Sequence, residues 1–314
     1  MVSARSASFR RAGLLVLERG WLSANSIFFP AFEEAGAALV DSGYVTHAPQ
    51  TLALVRQGLH AGEDLTLLLN THLHSDHCGG NAALQAAFPH LVTAIPPGEA
   101  EAVAEWDTER LSYEVTGQSC APFRFERLLV PGDTIQLGPR AWEIHAAAGH
   151  DPHSVILFEP IDRILISADA LWENGFGVVF PEIEGIDAFD EVAATLDLIE
   201  RLKPQQVIPG HGAVFQDVQR ALAHARRRLD SFCSQPEKHQ RYAAKVLIKF
   251  KLLEWQAIHR DSMYSWAMAT PYFSKYLMPT GSAKDRANWF ALLLDELQSA
   301  GAIEIAGEQV LNRG

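Results

Sequence analysis

The sequence predicts an α+β fold, with two β-sheets packed face to face and covered by helices, followed by a smaller, mainly helical C-terminal domain. Three observations carry this expectation. Short apolar runs of strand length alternate with helical stretches as far as residue 208, the residues suited to binding cations fall where those runs end, and from about Phe215 strands give way to long helices. A chain of 314 residues has room for two domains and a real core. The expected boundary lies between a catalytic domain over residues 1–216 and a second domain over 217–314.

In order, Leu14–Leu17, Ser26–Phe29 and Ala37–Val40 read as strands, the last running into Asp41. Pro49–Leu59 carries a loose apolar stripe and reads as a helix before the strand Leu65–Leu69. Gly79-Gly80 marks the turn into a helix over Asn81–Phe88, which stops at Pro89. Leu91–Ile95 is a further strand, Pro96-Pro97-Gly98 a plain loop, and Glu99–Glu114 an acidic helix. The strand pattern resumes over Arg124–Val130, Ile135–Leu137, Trp142–Ala147, Val155–Phe158 and Arg163–Ser167. An amphipathic helix over Ile186–Leu202 and the short strand Val207-Ile208 complete the first domain. Beyond it, Gln216–Phe232, Gln240–His259 and Trp289–Ala300 read as helices, and residues 302–311 alternate around Gly307 as a small hairpin. Helices ending in a hairpin are similar to a winged-helix module, with packing or dimerisation, and hence a possible homodimer, as its expected use.

Charge narrows the partners. Twelve Lys/Arg face 28 Asp/Glu in residues 1–216, a net −16, whereas nine face three in residues 217–251, a net +6. An acidic first domain is a poor footprint for nucleic acid. The basic segment is most simply a solvated helix face, and as a functional surface it offers a place for an anionic substrate tail. Three scattered cysteines imply no disulfide framework. No stretch approaches transmembrane length and residues 1–17 make no convincing signal peptide, so a cytoplasmic location is expected.

The densest chemistry lies in residues 70–81. After the apolar run Leu65–Leu69, His72, His74, Asp76 and His77 fall within six positions. Alternation along a strand places His72 and His74 on one side, leaving Asp76 and His77 to turn toward a second point close by. Imidazoles and carboxylates at this density are what a borderline divalent cation requires. A strand end dressed with polar residues accounts for one histidine but not for three with an aspartate.

The pattern His72-x-His74-x-Asp76-His77 resembles the signature of the metallo-β-lactamase superfamily. Four further segments follow the family order: Asp41-Ser42-Gly43 upstream, then Gly149-His150, Ser167-Ala168-Asp169 and Pro209-Gly210-His211-Gly212. The resemblance spans about residues 10–216 and implies an αββα sandwich with the cations along one edge. It implies His72, His74 and His150 as one metal site, Asp76, His77 and His211 as the other, Asp169 as the bridge, and Asp41 as the partner that orients a ligand histidine. Two divalent cations are expected, zinc first, with iron or manganese also suited to such ligands. A hydroxide shared between them would act as nucleophile, with Asp76 as the catalytic carboxylate that orients it.

Zinc β-lactamases of the family carry a cysteine where Asp169 stands, which argues against antibiotic hydrolysis. The expected activity is metal-dependent hydrolysis of a small acyl substrate, a thioester or ester of the kind cleaved by hydroxyacylglutathione hydrolases. The alternatives are an endoribonuclease or phosphodiesterase of the same superfamily, and an iron-dependent persulfide dioxygenase. His153 stands where relatives commonly have glycine and is a candidate catalytic imidazole. Trp172, Asn174 and Phe176, close after Asp169, and Tyr113 are candidate pocket residues. Cys78 is expected to be a buried packing thiol.

Overall fold

The computed structural model describes residues 9–313. Its first sheet contains β1 (Leu15–Leu17), β2 (Ser26–Phe29), β3 (Ala37–Val40), β4 (Leu65–Leu69), β5 (Val92–Ile95) and β6 (Arg127–Leu128), in that spatial order. The strands from β3 to β6 are mutually parallel, while β1 and β2 are antiparallel to their neighbours. The second sheet has the order β11-β10-β9-β8-β7, formed by β7 (Thr134–Leu137), β8 (Arg140–Ala146), β9 (Val155–Glu159), β10 (Ile164–Ala168) and β11 (Gln206–Pro209). Only β10 and β11 pair in parallel there.

Strand alternation builds the layers. Ile27 and Phe29 of β2, with Ala38 and Val40 of β3, face inward onto Trp142, Ile144, Leu157 and Ile166 of the second sheet. Phe28, Ala37 and Leu39, the residues between them, face outward beneath helix α1 (Ala48–Gly58). Trp142, fully buried, meets Phe29 edge-to-face with ring centroids 5.5 Å apart, joining the two sheets at mid-core. The far face of the second sheet packs Phe158, Leu165 and Val207 against Val192, Leu196, Ala221 and Leu222. The result is the αββα sandwich.

Several elements depart from the sequence expectation. A 3₁₀ turn over Pro97–Glu99 replaces the plain loop. The acidic helix over Glu99–Glu114 is two short helices, because Trp106 and Ser112 adopt left-handed backbone angles between them. The strand expected over Arg124–Val130 shrinks to the two residues of β6. His72 and His74 lie beyond the end of β4 rather than on it, His74 standing before the four-residue helix α2 (Ser75–Cys78). The next helix is α3 (Asn81–Ala87), and α4 (Ala100–Glu105) and α5 (Tyr113–Thr116) are the two halves just described.

Later in the chain come α6 (Phe180–Ile183), α7 (Phe189–Leu202), α8 (Val218–Ser234), α9 (Pro236–Trp255), α10 (Arg260–Ala269) and α11 (Ala283–Ser299). Helix α9 begins with a proline in its first turn and ends at Gln256, which has a positive φ. Residues 257–259, expected as helix, therefore form β12 (Ala257–His259). It joins β13 (Ile303–Ala306) and β14 (Gln309–Asn312) in a three-stranded sheet of order β12-β14-β13. These helices and strands share one apolar core, in which Leu247, Ile248, Phe273, Leu293 and Val310 pack with Val178 and Ile183. The C-terminal elements thus rest on the segment leading into and through α6. Among the described residues no helix is long and apolar enough to cross a membrane.

Candidate metal centre

All the family-matched side chains converge at one edge of the sandwich, each supplied just past the carboxyl end of a strand. Asp41 follows β3, the His72–His77 segment follows β4, His150 follows β8, Asp169 follows β10 and His211 follows β11. Two clusters result: His72, His74 and His150, and Asp76, His77, Asp169 and His211, with candidate ligand atoms inside each lying within 4.8 Å of one another. These are the seven positions that the resemblance implies as ligands.

Within the first cluster, His74 Nδ1 lies 3.1 Å from His72 Nε2 and 2.8 Å from His150 Nε2. Burial, followed by its neighbouring imidazoles, pushes His74 down to about 4 and His72 well below its ordinary range. These rings are therefore neutral, with lone pairs free to bind a cation. In the second cluster the balance is reversed. Burial again opposes charge on His77, but Asp41, Asp169 and Asp76 outweigh it and push the ring well above its ordinary range. Its buried Nε2 nevertheless has no hydrogen-bond partner and points toward Asp169 Oδ1 at 3.5 Å and Asp76 Oδ2 at 4.0 Å. A buried nitrogen without a partner, facing two carboxylates, is the arrangement that a cation would satisfy.

Asp169 spans the clusters. Its Oδ1 faces His77, and its Oδ2 lies 3.5 Å from His150 Nε2 and 3.8 Å from His211 Nε2. The remote nitrogens of two ligand rings are held from behind. His77 Nδ1 meets Asp41 Oδ2 at 2.8 Å, and His150 Nδ1 meets the carbonyl of Val178. Asp41 has a left-handed φ of 57° and also accepts from the amide and hydroxyl of Thr71, which fixes both carboxylate oxygens. Gly210 must lack a side chain, since a Cβ there would stand 2.2 Å from Asp169 Oδ1.

A cavity of about 80 Å³ opens onto these groups. Trp172 lines it as expected, donating from Nε1 to Asp169 Oδ1 at 3.1 Å. Two expectations fail. Phe176 is buried in the core with its ring against Phe232, and Tyr113 is buried with its hydroxyl donating to the carbonyl of Leu73. Asn174 lines a neighbouring recess beside Arg228 instead of the central cavity. His153 is exposed, its ring packed over Gly98, and lines a side cavity shared with His74 and His150.

Two aromatic residues escaped the sequence reading. Trp21, half exposed, stacks on His211 with centroids 5.3 Å apart, and Phe180 lies edge-on to His74 at 5.0 Å. Neither belongs to a ligand motif, so proximity in sequence held no signal for them. Cys78 is buried as expected, its thiol within reach of Tyr113 Oη at 3.2 Å and of Cys120 Sγ at 3.8 Å.

Strand-end ligands on an αββα sandwich define a class of metal-binding proteins, and the match to known families agrees. The metallo-beta-lactamase superfamily domain matches residues 19–211, and the chain belongs to that superfamily. Over 167 residues it is 28% identical to the acyl-coenzyme A thioesterase MBLAC2 of Gallus gallus, covering 49% of this chain and 59% of that one. Over 156 residues it is 31% identical to the hydroxyacylglutathione hydrolase of Stenotrophomonas maltophilia (strain R551-3), covering 50% of each. The chain thus spans about half to three fifths of the length of these curated relatives. Among solved structures, the metallo-beta-lactamase family protein TTHA1429 of Thermus thermophilus superposes with a TM-score of 0.55 at 17% identity, covering 96% of this chain and 99% of that one. TTHA1623 in a di-iron-bound form reaches 0.53 at 24% identity, covering 67% and 98%. These two likenesses concern the fold alone.

Proposed function

We propose that the chain is a dinuclear metal-dependent hydrolase acting on a small acyl substrate, a thioester or ester. The supporting observation is Asp169, whose two carboxylate oxygens face two separate sets of buried ligands. On this reading His72, His74 and His150 hold one divalent cation, Asp76, His77 and His211 hold the other, and Asp169 touches both, with residues 1–216 as the catalytic domain. Zinc suits this donor set, as do iron and manganese. When bound, such a pair lowers the pKa of a shared water toward neutrality and polarises an acyl carbonyl.

The chain's own residues supply the remainder. Asp76 stands at the mouth of the second cluster, with Oδ2 3.0 Å from His211 Nε2, where it orients the attacking water and accepts its proton. Asp41, through Nδ1 of His77, and the Val178 carbonyl, through Nδ1 of His150, keep those rings aimed at the centre. Trp21, Trp172 and Phe180 wall the cavity with apolar surface and exclude bulk water. The two curated relatives, one an acyl-coenzyme A thioesterase and the other a hydroxyacylglutathione hydrolase, support the substrate class.

Nucleic acid fits less well. Five of the nine basic residues of 217–251 are paired with carboxylates: Arg226 with Asp197 and Glu200, Arg220 with Glu173, Arg241 and Lys245 with Glu296, and Lys251 with Glu254. The test combines metal analysis with turnover of a panel of thioester, ester, lactone, phosphodiester and RNA substrates. About two ions per chain and turnover concentrated on the acyl substrates are expected. Saturation at one ion, or preferential cleavage of RNA with a steep salt dependence, would defeat the proposal.

A further inference from the structure

Two larger cavities lie beside the metal centre, and they differ in chemistry. One, of about 330 Å³, is acidic, with Glu99, Asp151, Glu184, Asp187 and Glu191 on its walls. The other, of about 360 Å³, lies between the sandwich and the C-terminal helices and is walled mainly by apolar and aromatic side chains. It shares Trp21, Trp172, Val246 and Phe250 with the cavity over the metal ligands, so the two spaces adjoin.

Its floor is one face of α9. Tyr242, Val246, Phe250 and Leu253 recur at helical spacing along a stripe about 16 Å long, at 1.5 Å per residue. Leu297 of α11 and Ala300, just past its end, form the far wall. The groove's two lysines are already occupied. Lys245 Nζ is 3.1 Å from Glu296, and Lys249 Nζ donates to the carbonyls of Ala302 and Arg313 and to the Asn312 side chain. Lys245 is neutralised by Glu296 and the donors of Lys249 are engaged by neutral oxygens, so the groove offers mainly apolar surface, which suits an apolar chain.

We infer that this groove binds the hydrocarbon chain of the acyl group, so that the substrate is a thioester or ester of a medium- or long-chain fatty acid. This rests on the acyl-hydrolase reading above and adds the chain. With the reacting carbonyl over Asp169 and the chain laid along α9 past Trp21 and Trp172, the acidic cavity remains for the rest of the molecule.

The test is a series of N-acetylcysteamine thioesters from acetyl to dodecanoyl, chosen because the leaving group carries no charge. With the metal-loaded protein, kcat/KM should rise about fourfold per added CH2 through octanoyl, the ratio that ~0.8 kcal/mol represents. Leu253→Glu, which sets a carboxylate in the groove, should cut the dodecanoyl-to-acetyl ratio at least tenfold. Ala300→Phe, at an exposed position that tolerates substitution, should shorten the preferred chain. A flat or falling series, or an unchanged ratio in both variants, would overturn the inference, while acetyl turnover would leave the hydrolase reading standing. If no thioester or ester is cleaved, that broader reading fails instead. Binding then decides the groove. A brominated dodecanoate should quench tryptophan fluorescence in the wild type and not in Leu253→Glu, and absence of quenching in the wild type would overturn it.

Discussion

The two ligand clusters sit side by side and solve opposite electrostatic problems. His72, His74 and His150 contain no carboxylate, and burial keeps His72 and His74 neutral. Asp76, His77, Asp169 and His211 include two carboxylates, with Asp41 behind them, and there the negative charge outweighs burial and raises His77 well above its ordinary range. The first cluster has only the shared Asp169 to offer a cation charge, whereas the second adds Asp76, with Asp41 behind His77. Cations should therefore leave the histidine cluster first when a chelator is titrated in, since charge neutralisation strengthens the other site.

The largest expected effect comes from the residue that joins the clusters. Asp169→Ala should reduce metal content at both sites and lower activity by about a thousandfold or more, as several kcal/mol of transition-state stabilisation are lost. Elemental analysis beside kinetics checks this, and full occupancy in the variant would sever the link between the clusters.

Asp41→Asn should act on one cluster alone. It removes the charge behind His77 and should weaken the second site about 10- to 100-fold while sparing the first. Stepwise metal titration followed by calorimetry would read it, and equal weakening of both sites would erase the contrast. The smallest effect is expected for His153→Gly. Its ring is exposed and packs on Gly98, so metal content should be unchanged and turnover should stay within about twofold, the range of ordinary surface substitutions. A fall of tenfold, or an altered acid limb of the pH–rate profile, would enlist His153 in the site after all.

The candidate metal ligands were legible in the sequence because four of them lie within six residues and the others follow short strands. Strand positions were legible as short, nearly continuous apolar runs, because strands such as β2 and β3 are buried on both faces. Residues that reach the centre by tertiary folding left no such trace. Trp21 comes from a turn ahead of β2, and Phe180 from the start of α6. Phe176 shows the converse error, because nearness to Asp169 in sequence does not decide which side a ring faces. It turned into the core while Trp172 turned out. Helix α10 carries no distinct signal in the sequence, and α9 ends before its apolar pattern does, at Gln256, where a positive φ turns the chain into β12.

Each ligand cluster draws side chains from both sheets. His72 and His74 follow β4 of the first sheet and His150 follows β8 of the second, as Asp76 and His77 are matched by Asp169 and His211. Metal uptake is therefore also a clasp across the open edge of the sandwich. It ties positions 76 residues apart between His74 and His150, and 135 apart between Asp76 and His211. Chain entropy gives such long closures their value, much as it does for a disulfide, although here the clasp can be undone by a chelator and fastened again.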